Sequence, residues 1–178
     1  MTGAICNLFS AIEADISALD ISCIVNAANE SLIMGGGVDG AIRRKASPEM
    51  EKELRRIRRC PTGGAVLTDG HRLPAKYVIH TVAPVWETRA GSREENLRLL
   101  AGCYANSLAL ARGNGIAEIA FPCMGTGIYG WPADLAAGIA FETVTNFLDE
   151  QNGFSRIVFC CFCAAHKDRY AELIAAVR

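Results

Sequence analysis

Apolar residues along this chain fall into short runs that alternate with longer stretches in which they recur every third or fourth position. The runs Cys23 to Ala27, Ala65 to Thr68, Tyr77 to Val82, Ile116 to Pro122 and Arg156 to Cys163 read as strands, several of them continuous β-branched or apolar stretches expected of strands buried on both faces. A weaker pair of strands is expected within Ile5 to Glu13. Between the runs, Val38 to Lys45, Pro48 to Arg59, Glu94 to Arg112, Pro132 to Glu150 and His166 to Arg178 carry the helical period. Ser47-Pro48 supplies an N-cap and an N1 proline, and Glu49 and Glu51 place negative charge where the helix dipole favours it. The run Arg55 to Arg59 ends the same helix with cations and reads as a solvated face. Strand and helix alternating from end to end is the βαβ pattern of a parallel sheet covered by helices.

Composition narrows this picture without redirecting it. The 178 residues suit one domain, 1–178, with no repeat, low-complexity tract or linker. With 51% hydrophobic residues and a formal net charge of -1, the chain fits a soluble globular protein and offers no basic field for a nucleic-acid backbone. The apolar stretch from Met1 to Ile12 is broken by Asn7 and Ser10 and lacks a basic n-region, so neither an export signal nor a membrane span is expected. Eight cysteines lie mostly inside apolar runs, where a thiol behaves as a small hydrophobe, and a cytoplasmic setting is the simpler expectation. Cys160 and Cys163 are three apart on an expected strand and point to opposite faces, which disfavours a shared metal ion. No metal or cofactor is expected. His80 sits mid-strand and reads as a satisfied core histidine.

Open parallel sheets bind ligands at the carboxyl ends of their strands, so the strand-to-helix junctions carry the candidate chemistry. After Cys23 to Ala27 the chain reads Asn26-Ala27-Ala28-Asn29-Glu30-Ser31-Leu32-Ile33-Met34-Gly35-Gly36-Gly37-Val38-Asp39-Gly40. The glycine triplet leads straight into a helix, whose free N–H groups and dipole favour an anion. A second glycine-rich junction, Cys123-Met124-Gly125-Thr126-Gly127-Ile128-Tyr129-Gly130-Trp131-Pro132, follows the run ending at Pro122. Two such loops at one sheet edge suit a diphosphate. Neither has the lysine of a GK[ST] phosphate loop, and the spacing misses the dinucleotide fingerprint, so a nucleoside triphosphatase and a standard Rossmann site are both disfavoured. No G-x-S-x-G elbow is present, which sets aside a serine hydrolase.

With these residues in view, the chain resembles the macrodomain family, and within it the MacroD-type class that includes bacterial O-acetyl-ADP-ribose deacetylases. The resemblance rests on Asp15-Ile16, Ile24 to Asn29, Gly35 to Ile42, Cys60-Pro61-Thr62-Gly63, Leu73 to Val82 and Thr126 to Gly130. It implies a three-layer α/β/α fold with a mixed, mostly parallel central sheet. It implies an ADP-ribose site in which Asp15, beside Ile16, accepts from the adenine amino group and Phe162 forms an aromatic platform. Gly125, Thr126, Gly127, Ile128 and Tyr129 would cradle the diphosphate, with Tyr129 covering the distal ribose. Gly36, Gly37 and Val38 would form the opposite wall, and Ala27 would be among the ligand-binding residues. Asn29 would hold the distal ribose hydroxyls, and Asp39 would orient or deprotonate a water that attacks the ester.

The implied function is hydrolysis, removing mono-ADP-ribose from acidic side chains of proteins or acetate from O-acetyl-ADP-ribose. The alternative is a reader that binds ADP-ribose without turnover. A monomer whose partners are ADP-ribose, its esters and mono-ADP-ribosylated proteins is expected. Five departures stand out: Arg43 where the class usually has histidine, Ala46-Ser47 where it often has alanine-glycine, Met34 for the first of four glycines, Gly125 for serine, and Ala14 for glycine. Arginine cannot deprotonate, and a cation beside Asp39 makes it a poorer base.

Overall fold

The computed structural model describes residues 8–86, 92–150 and 153–177. Six strands form one sheet: β1 (Phe9–Glu13), β2 (Cys23–Ala27), β3 (Ala65–Asp69), β4 (Tyr77–Thr81), β5 (Glu118–Pro122) and β6 (Arg156–Cys161). Their order is β1-β6-β5-β2-β4-β3, and every pairing is parallel except β3 with β4. Five α-helices follow in chain order: α1 (Gly37–Lys45), α2 (Pro48–Ile57), α3 (Arg93–Gly113), α4 (Ala133–Glu150) and α5 (Ala164–Ala175). A 3₁₀ turn, Ile16–Ala18, follows β1.

Successive residues of a strand face opposite sides of the sheet, and here each side has its own core. Val25, Ile79, Phe121 and Phe159 face α3, α4 and α5, joining Tyr104, Phe141 and Tyr170 in an aromatic-rich layer. The neighbours Ile24, Val78, Ala120 and Val158 face the other way, onto Ile42 of α1 and Met50 and Leu54 of α2. The Phe159 and Tyr170 rings stack with centroids 4.3 Å apart, tying β6 to α5. The result is the three-layer α/β/α arrangement with a mixed, mostly parallel sheet.

Differences from the expected elements lie at their ends. Of the pair anticipated within Ile5 to Glu13 only β1 is seen, and residues 5–7 lie outside those described. β6 stops at Cys161, two residues early: its neighbour β1 ends at Glu13, which pairs with Cys161, so the ladder has no further partner on that side. α2 ends at Ile57 and not Arg59, because Arg58 turns left-handed (φ 73°) while its N–H bonds the Leu54 carbonyl. Ser47 precedes Pro48 as expected, but its side chain makes no capping bond. α5 begins two residues before His166 and runs to Ala175, and Arg178 lies outside the described residues.

The topology has a switch point. From β2 the chain builds β3 and β4 on one side, then α3 carries it across to β5 on the other. Beyond the carboxyl ends of β2 and β5, the crevice where such sheets take ligands is therefore flanked by both glycine-rich loops.

Candidate ligand site

Asp39 opens the first loop's account. It lies in the first turn of α1 and is 3% exposed, and its carboxylate collects three donors. Oδ2 accepts from the Gly35 N–H at 2.6 Å; Oδ1 accepts from Asn26 Nδ2 at 2.6 Å and from Arg43 Nε at 3.2 Å. Arg43, one helical turn on, is equally buried: its Nη1 bonds Glu51 at 2.5 Å and its Nη2 donates to the Leu32 carbonyl at 2.9 Å. The guanidinium thus ties both ends of the loop to α1 and α2, a fork geometry that a lysine or histidine could not reproduce.

Asn29, at the loop's start, grips its own segment by donating to the Ile33 carbonyl at 2.7 Å and accepting from the Ile33 N–H at 3.3 Å. Asn29 and Asp39 are ten positions apart, yet they meet at Gly35, where an added Cβ would lie 3.5 Å from Asp39 Oδ2 and 3.8 Å from Asn29 Nδ2. Gly36 and Gly37 face open space, and Gly37 has φ 55°. Among the described residues, the N–H groups of Gly36, Gly37 and Val38 have no hydrogen-bond acceptor, as the first turn of a helix leaves them. Ala27 ends β2 directly below.

The second loop is held differently. Trp131 donates its N–H to the Gly125 carbonyl at 3.1 Å and its Nε1–H to the Pro84 carbonyl at 2.7 Å, and its ring packs 4.6 Å from Trp86. Trp86 in turn donates to the Tyr129 carbonyl at 2.9 Å. Gly125 has φ 79°, and a Cβ there would come within 2.6 Å of the Trp131 ring. A serine would not fit beside this indole. Thr126 closes the turn with its hydroxyl on the Cys123 carbonyl at 2.9 Å. The N–H groups of Gly127, Ile128 and Tyr129 have no acceptor among the described residues, and the Ile128 side chain is 96% exposed. Two sets of unpartnered donors thus stand on either side of the crevice, the geometry that holds a diphosphate.

Asp15 and Phe162 lie farther along the same edge, just beyond the paired strand ends Glu13 and Cys161. Phe162 is 92% exposed, so it takes no part in the core. Asp15 caps the turn that buries Ile16: Oδ1 accepts from the Ser17 N–H at 2.9 Å and its hydroxyl at 2.5 Å, and Oδ2 pairs with Lys45 at 2.8 Å. The Lys45 ammonium, then Ser17, hold its carboxyl down at about 2. Capping and ligand binding are therefore both open to this side chain, since a carboxylate has about four lone-pair sites. From β1 to β2 the edge spans three strand spacings, on the order of 14 Å, with the aromatic at one end and Asn29 and Asp39 at the other.

Three supporting groups escaped the reading of the sequence as site residues. Asn26 and His80 lie beneath Asp39 in neighbouring strands, and Glu30 clamps the loop by accepting from Thr62 and pairing with Arg59 at 2.7 Å. Arg59 is thus a tether and not part of a free cationic face. The only hint in the sequence was that Asn26 interrupts an otherwise apolar strand. Cys160 donates to the Ala14 carbonyl at 3.3 Å, as a buried thiol does.

This fold and paired-loop edge define a macrodomain, and the Macro domain family model matches residues 25–140. The chain belongs to that family. It is 46% identical over 167 residues to a protein from Escherichia fergusonii named O-acetyl-ADP-ribose deacetylase, covering 92% of this chain and 93% of the other. It is 46% identical over 160 residues to Xenopus laevis ADP-ribose glycohydrolase MACROD2, covering 89% of this chain and 38% of that one. A Trypanosoma brucei macrodomain solved in complex with ADP-ribose superimposes with a TM-score of 0.89 at 37% identity, over 97% of this chain and 72% of the other.

Proposed function

We propose that this protein binds ADP-ribose and hydrolyses esters at its distal ribose, releasing ADP-ribose from aspartate or glutamate side chains of modified proteins or acetate from O-acetyl-ADP-ribose. The observation that carries this is the convergence of Asn29 and Asp39 on Gly35, at the end of a crevice lined by unpartnered N–H groups from both loops. The activities named for the relatives agree with it.

In this reading adenine lies on Phe162 with Asp15 accepting from its amino group. The diphosphate takes the N–H groups of Gly127, Ile128 and Tyr129 on one side and of Gly36, Gly37 and Val38 on the other. Tyr129 covers the distal ribose, and Asn29 exchanges its bonds to Ile33 for the ribose hydroxyls. Asp39 has three of its lone-pair sites filled, two of them on Oδ1. The remaining site on Oδ2 receives a hydrogen from the attacking water. Held by three donors, Asp39 orients or deprotonates that water, whose proton passes to the departing oxygen as the ester bond breaks, and loop N–H groups stabilise the oxyanion.

A second reading, a reader without turnover, is favoured by the Arg43 guanidinium on the same carboxylate. The two separate in a time course of ADP-ribose release from a protein mono-ADP-ribosylated on acidic residues, run beside acetate release from O-acetyl-ADP-ribose. Hydrolysis predicts release by the wild type that Asp39→Ala loses by about a hundredfold or more. No release from either substrate, with ADP-ribose binding intact by calorimetry, leaves the reader.

A further inference from the structure

The polar cluster beneath the first loop includes a buried titratable group that the steps above do not use. His80 is 0% exposed, and it pairs in register with Asn26 across the parallel β2–β4 ladder. Asn26 Nδ2 lies 2.6 Å from Asp39 Oδ1 and 3.0 Å from His80 Nδ1, while His80 Nε2 lies 2.9 Å from the Thr68 hydroxyl on β3. An amide nitrogen has two hydrogens and no lone pair to offer, so it donates to both neighbours. His80 Nδ1 is therefore the acceptor and carries no proton. Its one proton is on Nε2 and is donated to Thr68.

The Asn26 carbonyl oxygen, also buried, receives no donor among the described residues. The orientation of the amide thus depends on its two donated bonds alone. Turning it over would set its oxygen 2.6 Å from the Asp39 carboxylate, acceptor against acceptor, whichever tautomer His80 adopts. Burial, followed by the nearby Arg43 charge, pushes His80 down to about 3, so it remains neutral at physiological pH.

We infer that His80, as its neutral Nε2–H tautomer, is a positioning residue: it holds the Asn26 amide with its hydrogens toward Asp39 and thereby sets which carboxylate face meets the substrate ester. With Oδ1 gripped by Asn26 and Arg43, Oδ2 is aimed at the Gly35 N–H and the loop above it. Without the grip from Asn26, the carboxylate keeps only the longer 3.2 Å bond from Arg43 on Oδ1 and the Gly35 N–H on Oδ2, so its orientation is less tightly set. This rests on the role proposed for Asp39, but its test does not depend on turnover alone.

The direct test is ¹⁵N NMR of the histidine rings in the wild-type protein. Expected is one ring protonated at Nε2 only and unchanged from about pH 8 to about pH 5. A ring protonated at Nδ1, or one titrating in that range, overturns the inference. Two variants then separate positioning from packing. In His80→Asn the amide oxygen occupies the place of Nδ1 and can still accept from Asn26; in His80→Gln the amide reaches toward Thr68 instead. Expected is a Gly35 amide proton shift retained in His80→Asn and displaced in His80→Gln. Turnover should follow, with kcat within about threefold for Asn but down about tenfold for Gln, and KM held in both. Equal behaviour of the two variants overturns it. If the wild type shows no turnover, the hydrolase reading fails while the ring tautomer and Gly35 shift still decide this one.

Discussion

The two glycine loops do the same job from opposite sides of one crevice, but they are built from different forces. The loop at residues 35–38 is held from beneath by charge: Asp39 and Arg43, both buried, and the half-buried Glu51 form an ionic chain that grips Gly35 and Leu32. The loop at 125–130 has no ion pair beneath it among the described residues and is held by shape, with the Trp131 indole filling the place of a side chain at Gly125. Both leave backbone donors free at the rim. A diphosphate cradle thus requires aimed N–H groups on a rigid base, and either kind of base supplies one.

The largest expected effect breaks the ionic base. Arg43→Leu leaves the buried Asp39 carboxylate without its cation and the Leu32 carbonyl without its donor, and should cost about 3–5 kcal/mol of stability in chemical denaturation. A cost below about 1 kcal/mol would mean the chain contributes little to holding the loop. Next comes the steric base. Gly125→Val forces a branched residue into a left-handed backbone and against the indole; a loss of about 1–3 kcal/mol and much weaker ADP-ribose binding by calorimetry are expected. Gly36→Val is the control for both. Its φ of -96° suits any residue and a Cβ would meet nothing within 4 Å. Stability should stay within about 0.5 kcal/mol, while ADP-ribose binding falls, because the side chain projects toward the crevice.

A last test uses pH to probe the base of the first loop alone. His80 is held neutral in the fold down to about 3, whereas in the unfolded chain it titrates near about 6.5. Below about 6.5 the unfolded state binds a proton that the folded state does not, so this contribution to stability is complete above that value. It is lost as pH falls toward 3, by at most about 1.4 kcal/mol per pH unit. Denaturation midpoints of wild type and His80→Asn compared between about pH 7 and pH 5 should converge as pH falls. Parallel curves would mean that His80 takes its proton in the fold as readily as out of it.

What was legible in the sequence follows from the range of each signal. The alternation of apolar runs and helical periods is local, and every strand and helix anticipated within the described residues is present to within a few residues of its ends. Glycine triplets and the Gly125 to Gly130 alternation are also local, so both loops could be placed. The base beneath them could not. Asn26, Asp39, His80 and Thr68 come together only through strand register, and Arg43 reaches Glu51 only because α1 and α2 pack side by side. Arg43 looked like a cation that would weaken Asp39; in the fold it also organises the loop. His80 was correctly read as buried and satisfied, but the identity of its partner is what gives it a place in the site.

The contact between Gly125 and Trp131 also ties two positions into a single design variable. Placing a hydroxyl-bearing side chain at 125 would require a smaller ring at 131, and reducing that ring would in turn loosen the Pro84 and Trp86 contacts that brace Tyr129. Variants of this protein with altered ligand preference will therefore be reached by changing the pair together, since either single change passes through a poorly packed intermediate.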